Sequence, residues 1–112
     1  YDDGSLNAVG TSTNGITFTG KQATAGYWEG LEYYYSSSVD NVLTYVTIEY
    51  GGGNDTGNLY LTGDAQATAT DCTFSHSGAY GVYVTTNSTI NDDVATANTF
   101  SSNADGNVFI AP

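Results

Sequence analysis

The residues that could do chemistry in this chain are few, and most of them are acidic. Asn91, Asp92 and Asp93 form one oxygen-rich triplet, and clustered carboxylates are what a glycoside hydrolase needs. Such a pair must flank a sugar bond at a separation of about 5–10 Å, across a cleft. The triplet instead reads as a turn, and short turns leave no cleft to hold a substrate. His76 is the single histidine and has no sequence partner that would make it a ligand or a base. Lys21 is the single basic residue; it lies in a Gly20-Lys21-Gln22 turn without an acidic cluster beside it. Asp2-Asp3, Asn54-Asp55, Asp92-Asp93 and Asn103 with Asp105 are oxygen-rich as well. None follows the Asp-x-Asp-x-Asp-Gly spacing of a calcium loop, and Asn and Asp are common turn residues for local reasons. Cys72 is the one cysteine, in strand register at an inward parity, and reads as a buried, inert thiol. The expectation is no catalytic residue, no metal and no cofactor. Asn54-Asp55-Thr56 and Asn87-Ser88-Thr89 are acceptor triplets for glycosylation.

Charge narrows the partners further. Twelve acidic residues stand against Lys21 alone, with no arginine, for a net charge of −11. Nothing can neutralise phosphates, which excludes nucleic acid, and the same sign argues against anionic membrane surfaces. No run of 18 apolar residues is present, so no membrane insertion is expected. Abundant Thr, Ser, Asn, Gly and Tyr, with no Met, match secreted surface proteins. The expected location is therefore extracellular, secreted or at the cell surface, with the chain an excised part of an exported precursor.

The elements that must position these residues announce themselves as a period. Ile48, Phe74 and Phe100 lie 26 residues apart, twice in succession. A second column, Leu31, Leu59, Val82 and Val108, steps by 28, 23 and 26 residues. Periods of this length mark a solenoid. The runs Ile16–Phe18, Leu31–Tyr33, Val46–Ile48, Leu59–Leu61, Val82–Val84 and Val108–Ile110 alternate inward and outward, as short strands do. Helical spacing of apolar residues is missing. The reading is all-β: one domain over residues 1–112, a parallel solenoid of roughly four coils with three strands each. A weaker strand column is assigned Val39, Ala65 and Ile90. The interior is expected to take Leu31, Tyr33, Leu59, Leu61, Val82, Val84, Val108, Ile110, Val46, Ile48, Cys72, Phe74 and Phe100.

Five stretches carry a family resemblance. Gly15–Gly20, then Gly26-Tyr27-Trp28-Glu29-Gly30-Leu31, then Val42–Gly51 resemble a module of secreted right-handed parallel β-helix proteins. That group tends to show a Gly-x-Trp-x-Gly-Ile element followed by Leu-x-Tyr-x-x-Ile. Asp71–Ser75 and Ala97–Asn103 are similar to the degenerate coils of the wider pectate-lyase-like superfamily. The resemblance implies a right-handed parallel β-helix. It does not single out a function, because that scaffold hosts lyases, hydrolases, adhesins and structural repeats. Lyases of the superfamily abstract a proton with Arg or Lys, and its hydrolases add His and an Arg-Lys pair to their carboxylates. The near absence of basic residues sets both classes aside, so the chain is not expected to be an enzyme.

The outward positions then carry the functional reading. With Leu59, Val82 and Val108 inside, Tyr60, Tyr83 and Phe109 must share one solvent-facing column, with Glu32 ahead of them and Tyr34 two residues on. Contiguous exposed aromatics mark contact, either with a polysaccharide or with a neighbouring solenoid. Thr47, Thr73 and Thr99 make a second outward column. Beside them stand Glu49, Ser75 and Ser101, so there is no second Thr rank of the kind an ice-binding face needs, and the column reads as ordinary strand packing. No amphipathic capping helix is visible at either end. Leu6 and Val9 at one end, and Val108 and Ile110 at the other, are expected to form an end-to-end interface. The leading expectation is a self-associating subunit of an extracellular fibre or matrix. The alternative is a carbohydrate-binding or adhesin module of a larger surface protein.

Overall fold

The structure, a computed structural model, describes residues 4–112. The chain is a β-solenoid of about four coils built on three parallel sheets. In chain order the elements are β1 (Asn7–Val9), β2 (Ile16–Phe18), β3 (Leu31–Tyr34), β4 (Val42–Thr44), β5 (Val46–Glu49), β6 (Gly57–Thr62), β7 (Gln66–Thr70), β8 (Thr73–Ser75), β9 (Tyr80–Val84) and β10 (Thr89–Ile90). A single helical turn, α1 (Val94–Ala97), precedes β11 (Thr99–Ser101) and β12 (Gly106–Ile110). The sheets run β1-β4-β7-β10, β2-β5-β8-β11 and β3-β6-β9-β12, and every pairing is parallel.

The two strong columns stack in the register their spacing predicts. Phe18, Ile48, Phe74 and Phe100 are vertical neighbours, as are Leu31, Leu59, Val82 and Val108. The Phe74 and Phe100 rings stack with centroids 5.4 Å apart. Leu43, Ile48, Leu59, Leu61, Phe74, Val82 and Val84 have no solvent exposure. Like residues stack because a parallel ladder repeats every ~4.8 Å, so a side chain fits best over one of similar shape.

The third column differs from the sequence expectation. Val39 is 78% exposed, in the connection before β4, and Ala65 lies just ahead of β7, buried but outside the strand. The inward positions of this sheet are Ala8, Leu43 and Ala69 in one column and Ala67 beside Ile90 in the next. Alanine packs where the coil is narrow and gives almost no hydrophobic signal. Ile110 is also inward by register, yet 54% exposed, because no described coil stacks on the β12 side.

The corners explain how so small a coil closes. Tyr50, His76 and Ser102 occupy one corner in successive coils, with φ of 62°, 54° and 57°. Tyr45 and Asp71 do the same at another, each with φ of 53°. A single left-handed residue turns the chain sharply, at a steric cost that non-glycine residues bear uncommonly. Asparagines, buried at Asn41 and Asn58 and half-buried at Asn98 and Asn103, satisfy backbone groups left over between the strands. The Asn58 side chain accepts from the Gly51 N–H at 2.7 Å and donates to the Ser75 carbonyl at 3.0 Å. Asn98 accepts from the Cys72 N–H and Asn103 from the Ser77 N–H. Asn41 donates to the carbonyls of Ser36 and Gln66. Among the described residues, no buried side-chain nitrogen or oxygen lacks a partner.

Candidate functional site

The fold builds two surfaces that merit a functional reading: an outward aromatic column and the two poles of the solenoid. The aromatic column is where alternation put it. Glu32 pairs with Tyr60, Tyr60 with Tyr83, and Tyr83 with Phe109, along β3-β6-β9-β12. Tyr83 lies edge-on to Tyr60 at 5.6 Å and tilted against Phe109 at 4.8 Å. Tyr80 joins them, 6.0 Å from Tyr83 and 5.5 Å from Phe109. Strict alternation counted back from Val82 would put Tyr80 inside. The strand breaks alternation there, with Gly81 and Val82 both buried, so Tyr80 turns outward. All four rings are half-buried and packed on one another, as aromatic pairs prefer. Tyr34 is not part of this group; its ring meets Tyr35 edge-on at 4.5 Å.

At each pole the three sheets end together. Among the described residues, β1, β2 and β3 are paired on one side only, and so are β10, β11 and β12. Leu6, Ile16, Phe18, Trp28 and Leu31 are half-buried at the first pole, and Ile90, Phe100 and Val108 at the second. Leu6 and Val108, both named from sequence, therefore lie on the poles, and Ile110 joins them. Val9 does not. It flanks the inward Ala8 on β1, so it faces solvent sideways and is 55% exposed. Alternation, which places side chains reliably within a sheet, had no column to anchor it at this short first strand. Between β10 and β12 the second pole holds a recess of about 260 Å³, lined by Val84, Ser88, Ile90, Asn91 and Ile110 among others.

The remaining chemistry-bearing residues are dispersed. His76 is exposed and its ring stacks on Tyr50 at 5.1 Å. Lys21 is exposed in the connection from β2 to β3. Asp92 and Asp93 are exposed ahead of α1, and the Asn91 amide donates to Asp93 at 2.7 Å. Asn54 and Asn87 are both exposed. The oxygen-rich pair Asp2-Asp3 lies outside the described residues. Among those described, no three His, Cys, Asp or Glu side chains gather into a metal-holding group. The threonine column gains a fourth member, Thr17, and runs Thr17, Thr47, Thr73, Thr99. Glu49 beside it accepts from the Thr19 hydroxyl at 2.8 Å.

Two buried titratable groups touch the core. Cys72 is 1% exposed, and its sulfur lies 3.3–3.4 Å from the Thr70 and Leu43 carbonyls. Burial pushes its thiol up, while backbone hydrogen bonds partly oppose that. Tyr33 donates its hydroxyl to the Leu6 carbonyl at 3.0 Å. Burial first, then the nearby Cys72, pushes the Tyr33 phenol from 10.0 up to about 12. A raised native value means the fold keeps a proton that the unfolded chain releases. Stability is then complete below pH 10 and falls as pH rises from 10 toward 12. Urea midpoints measured across this range are expected to drop steadily, and Tyr33→Phe should flatten that slope. An unchanged slope in Tyr33→Phe would assign the alkaline loss to other groups.

No family model, no curated protein and no solved structure matches this chain.

Proposed function

We propose that this chain is a structural element of an extracellular fibre or matrix, assembling end to end through the open poles of its solenoid. One observation carries the reading. Among the described residues, the outermost strand of each of the three sheets is paired on one side only at both poles, and apolar interior positions lie half-exposed beside those strands. An unpaired parallel edge with an apolar flank is a template for another strand, and natural folds usually cover it. The two poles differ in sequence, so a contact between them is heterologous and propagates rather than closing into a pair. Surface composition supports the location: the chain is rich in Thr, Ser, Asn and Tyr and carries a charge of −11.

That charge sets a condition on assembly. Copies repel one another at low ionic strength, where the screening length is about 30 Å, and much less at about 0.5 M salt. Sedimentation velocity and negative-stain microscopy test the proposal together. Expected are particles whose length grows with concentration and with salt. A single monomeric species at millimolar concentration and high salt would overturn it.

A further inference from the structure

We propose, building on that end-to-end reading, that the partner at the second pole is another copy of this chain, docked in one defined register. In it β2 and β3 of the next copy extend the sheets beyond β11 and β12, with Thr17 of that copy placed over Thr99.

The register follows from the columns inside one molecule. Thr17, Thr47, Thr73 and Thr99 are successive partners, and so are Phe18, Ile48, Phe74 and Phe100. Leu31, Leu59, Val82 and Val108 form the third such series. One more step of the same kind sets Thr on Thr, Phe18 on Phe100 and Leu31 on Val108. A slip by one residue would instead drive Thr17 into the interior and Phe18 out to solvent, because side chains alternate across a strand.

The recess at the second pole fits the same placement. It lies over Val84 between Ile90 and Ile110. Carrying the β1-β4-β7-β10 register one step further brings the half-buried Leu6 of the next copy above Ile90. An apolar side chain thus arrives where the last coil leaves space.

A body measuring 32 × 31 × 25 Å offers an end of on the order of 700 Å², inside the range of about 600–1,000 Å² per partner that standard stable interfaces use.

Paired cysteines test the register directly. Thr17 and Thr99 are exposed strand residues, so Thr17→Cys and Thr99→Cys leave the interior intact. Within one molecule they stand three strand steps apart, about 14 Å, too far for a disulfide, whose Cα atoms lie within about 7 Å. Cys72 is buried and does not compete. On mild oxidation at about 0.5 M salt, the double variant is expected to form a reducible ladder of dimers, trimers and longer species. Each single variant should give far less covalent product than the double. Fibres in the microscope without a ladder would overturn the register and leave the fibre reading intact. Monomer by sedimentation together with no ladder would overturn both. Dimers from Thr99→Cys alone, in yields matching the double variant, would mean that like poles meet, and would also overturn it.

Discussion

Replacing Phe74 by alanine is expected to cost about 3–5 kcal/mol, the upper range for one core truncation. Phe74 has no solvent exposure and lies between Ile48 below and Phe100 above. Neither neighbour can close over the gap. Their backbones are held at the ~4.8 Å spacing of the ladder, so the cavity persists and its lining loses contacts on two sides. For a domain of this size, total stability is on the order of 10 kcal/mol, so the loss is a large share of it. Phe100→Ala removes the same atoms from the same column. Phe100 is only half-buried, with a coil on one side, and its loss should cost less than half as much. Urea unfolding at low protein concentration, where copies do not stack, measures both. Equal costs for the two variants would contradict the picture of a filled middle and open ends.

The two columns that make this prediction were legible because large apolar residues repeat in them without interruption. Phe74 over Phe100 and Leu59 over Val82 can be read from spacing alone. The β1-β4-β7-β10 sheet was not legible in the same way. Its inward residues are mostly alanine, and the register step shrinks from 35 residues between Asn7 and Val42 to 23 between Gln66 and Thr89. Val39, an apolar residue larger than those alanines and four positions before Leu43, is assigned to the column from sequence, although it lies in the exposed connection ahead of β4. The aromatic column illustrates a second limit. Alternation placed Tyr60, Tyr83 and Phe109 but lost Tyr80, because Gly81, packed against the Phe100 ring, and Val82 are both buried and break the in-out pattern of β9. Val9 marks a third: a three-residue strand at a pole has too little pattern to say which face it shows. The asparagines at the corners carried no signal, since Asn reads as a turn residue whether its amide points out to water or inward to the backbone.

Those asparagines supply the other large effect. Asn58→Ala is expected to cost about 1–3 kcal/mol, because truncation strands the buried Gly51 N–H, while the Ser75 carbonyl keeps the Tyr50 N–H as a donor. Asn58 has no exposure, and its amide bridges the Gly51 N–H at 2.7 Å and the Ser75 carbonyl at 3.0 Å. Gly51 and Ser75 belong to corners of successive coils, so one side chain ties two turns of the solenoid together. Water cannot take over without opening the corner, since Gly51, Gly52 and Gly57 around it are all buried. Asn103 in the last coil makes a related bridge to the coil before it, accepting from the Ser77 N–H and donating to the Phe74 carbonyl, at 3.0 Å each. It is half-exposed, so solvent can replace its amide, and Asn103→Ala should cost about 1 kcal/mol. Hydrogen exchange separates this cause from a simple loss of volume. In Asn58→Ala the Gly51 amide should lose protection ahead of the interior strands, whereas a volume effect would lower protection across β5, β6 and β8 together. A cost below about 1 kcal/mol with Gly51 still protected would show that the corner finds another partner. The coils would then be held by their strand ladders and by the stacked apolar columns of the interior, of which Phe74 over Phe100 is one, without a contribution from the Asn58 amide.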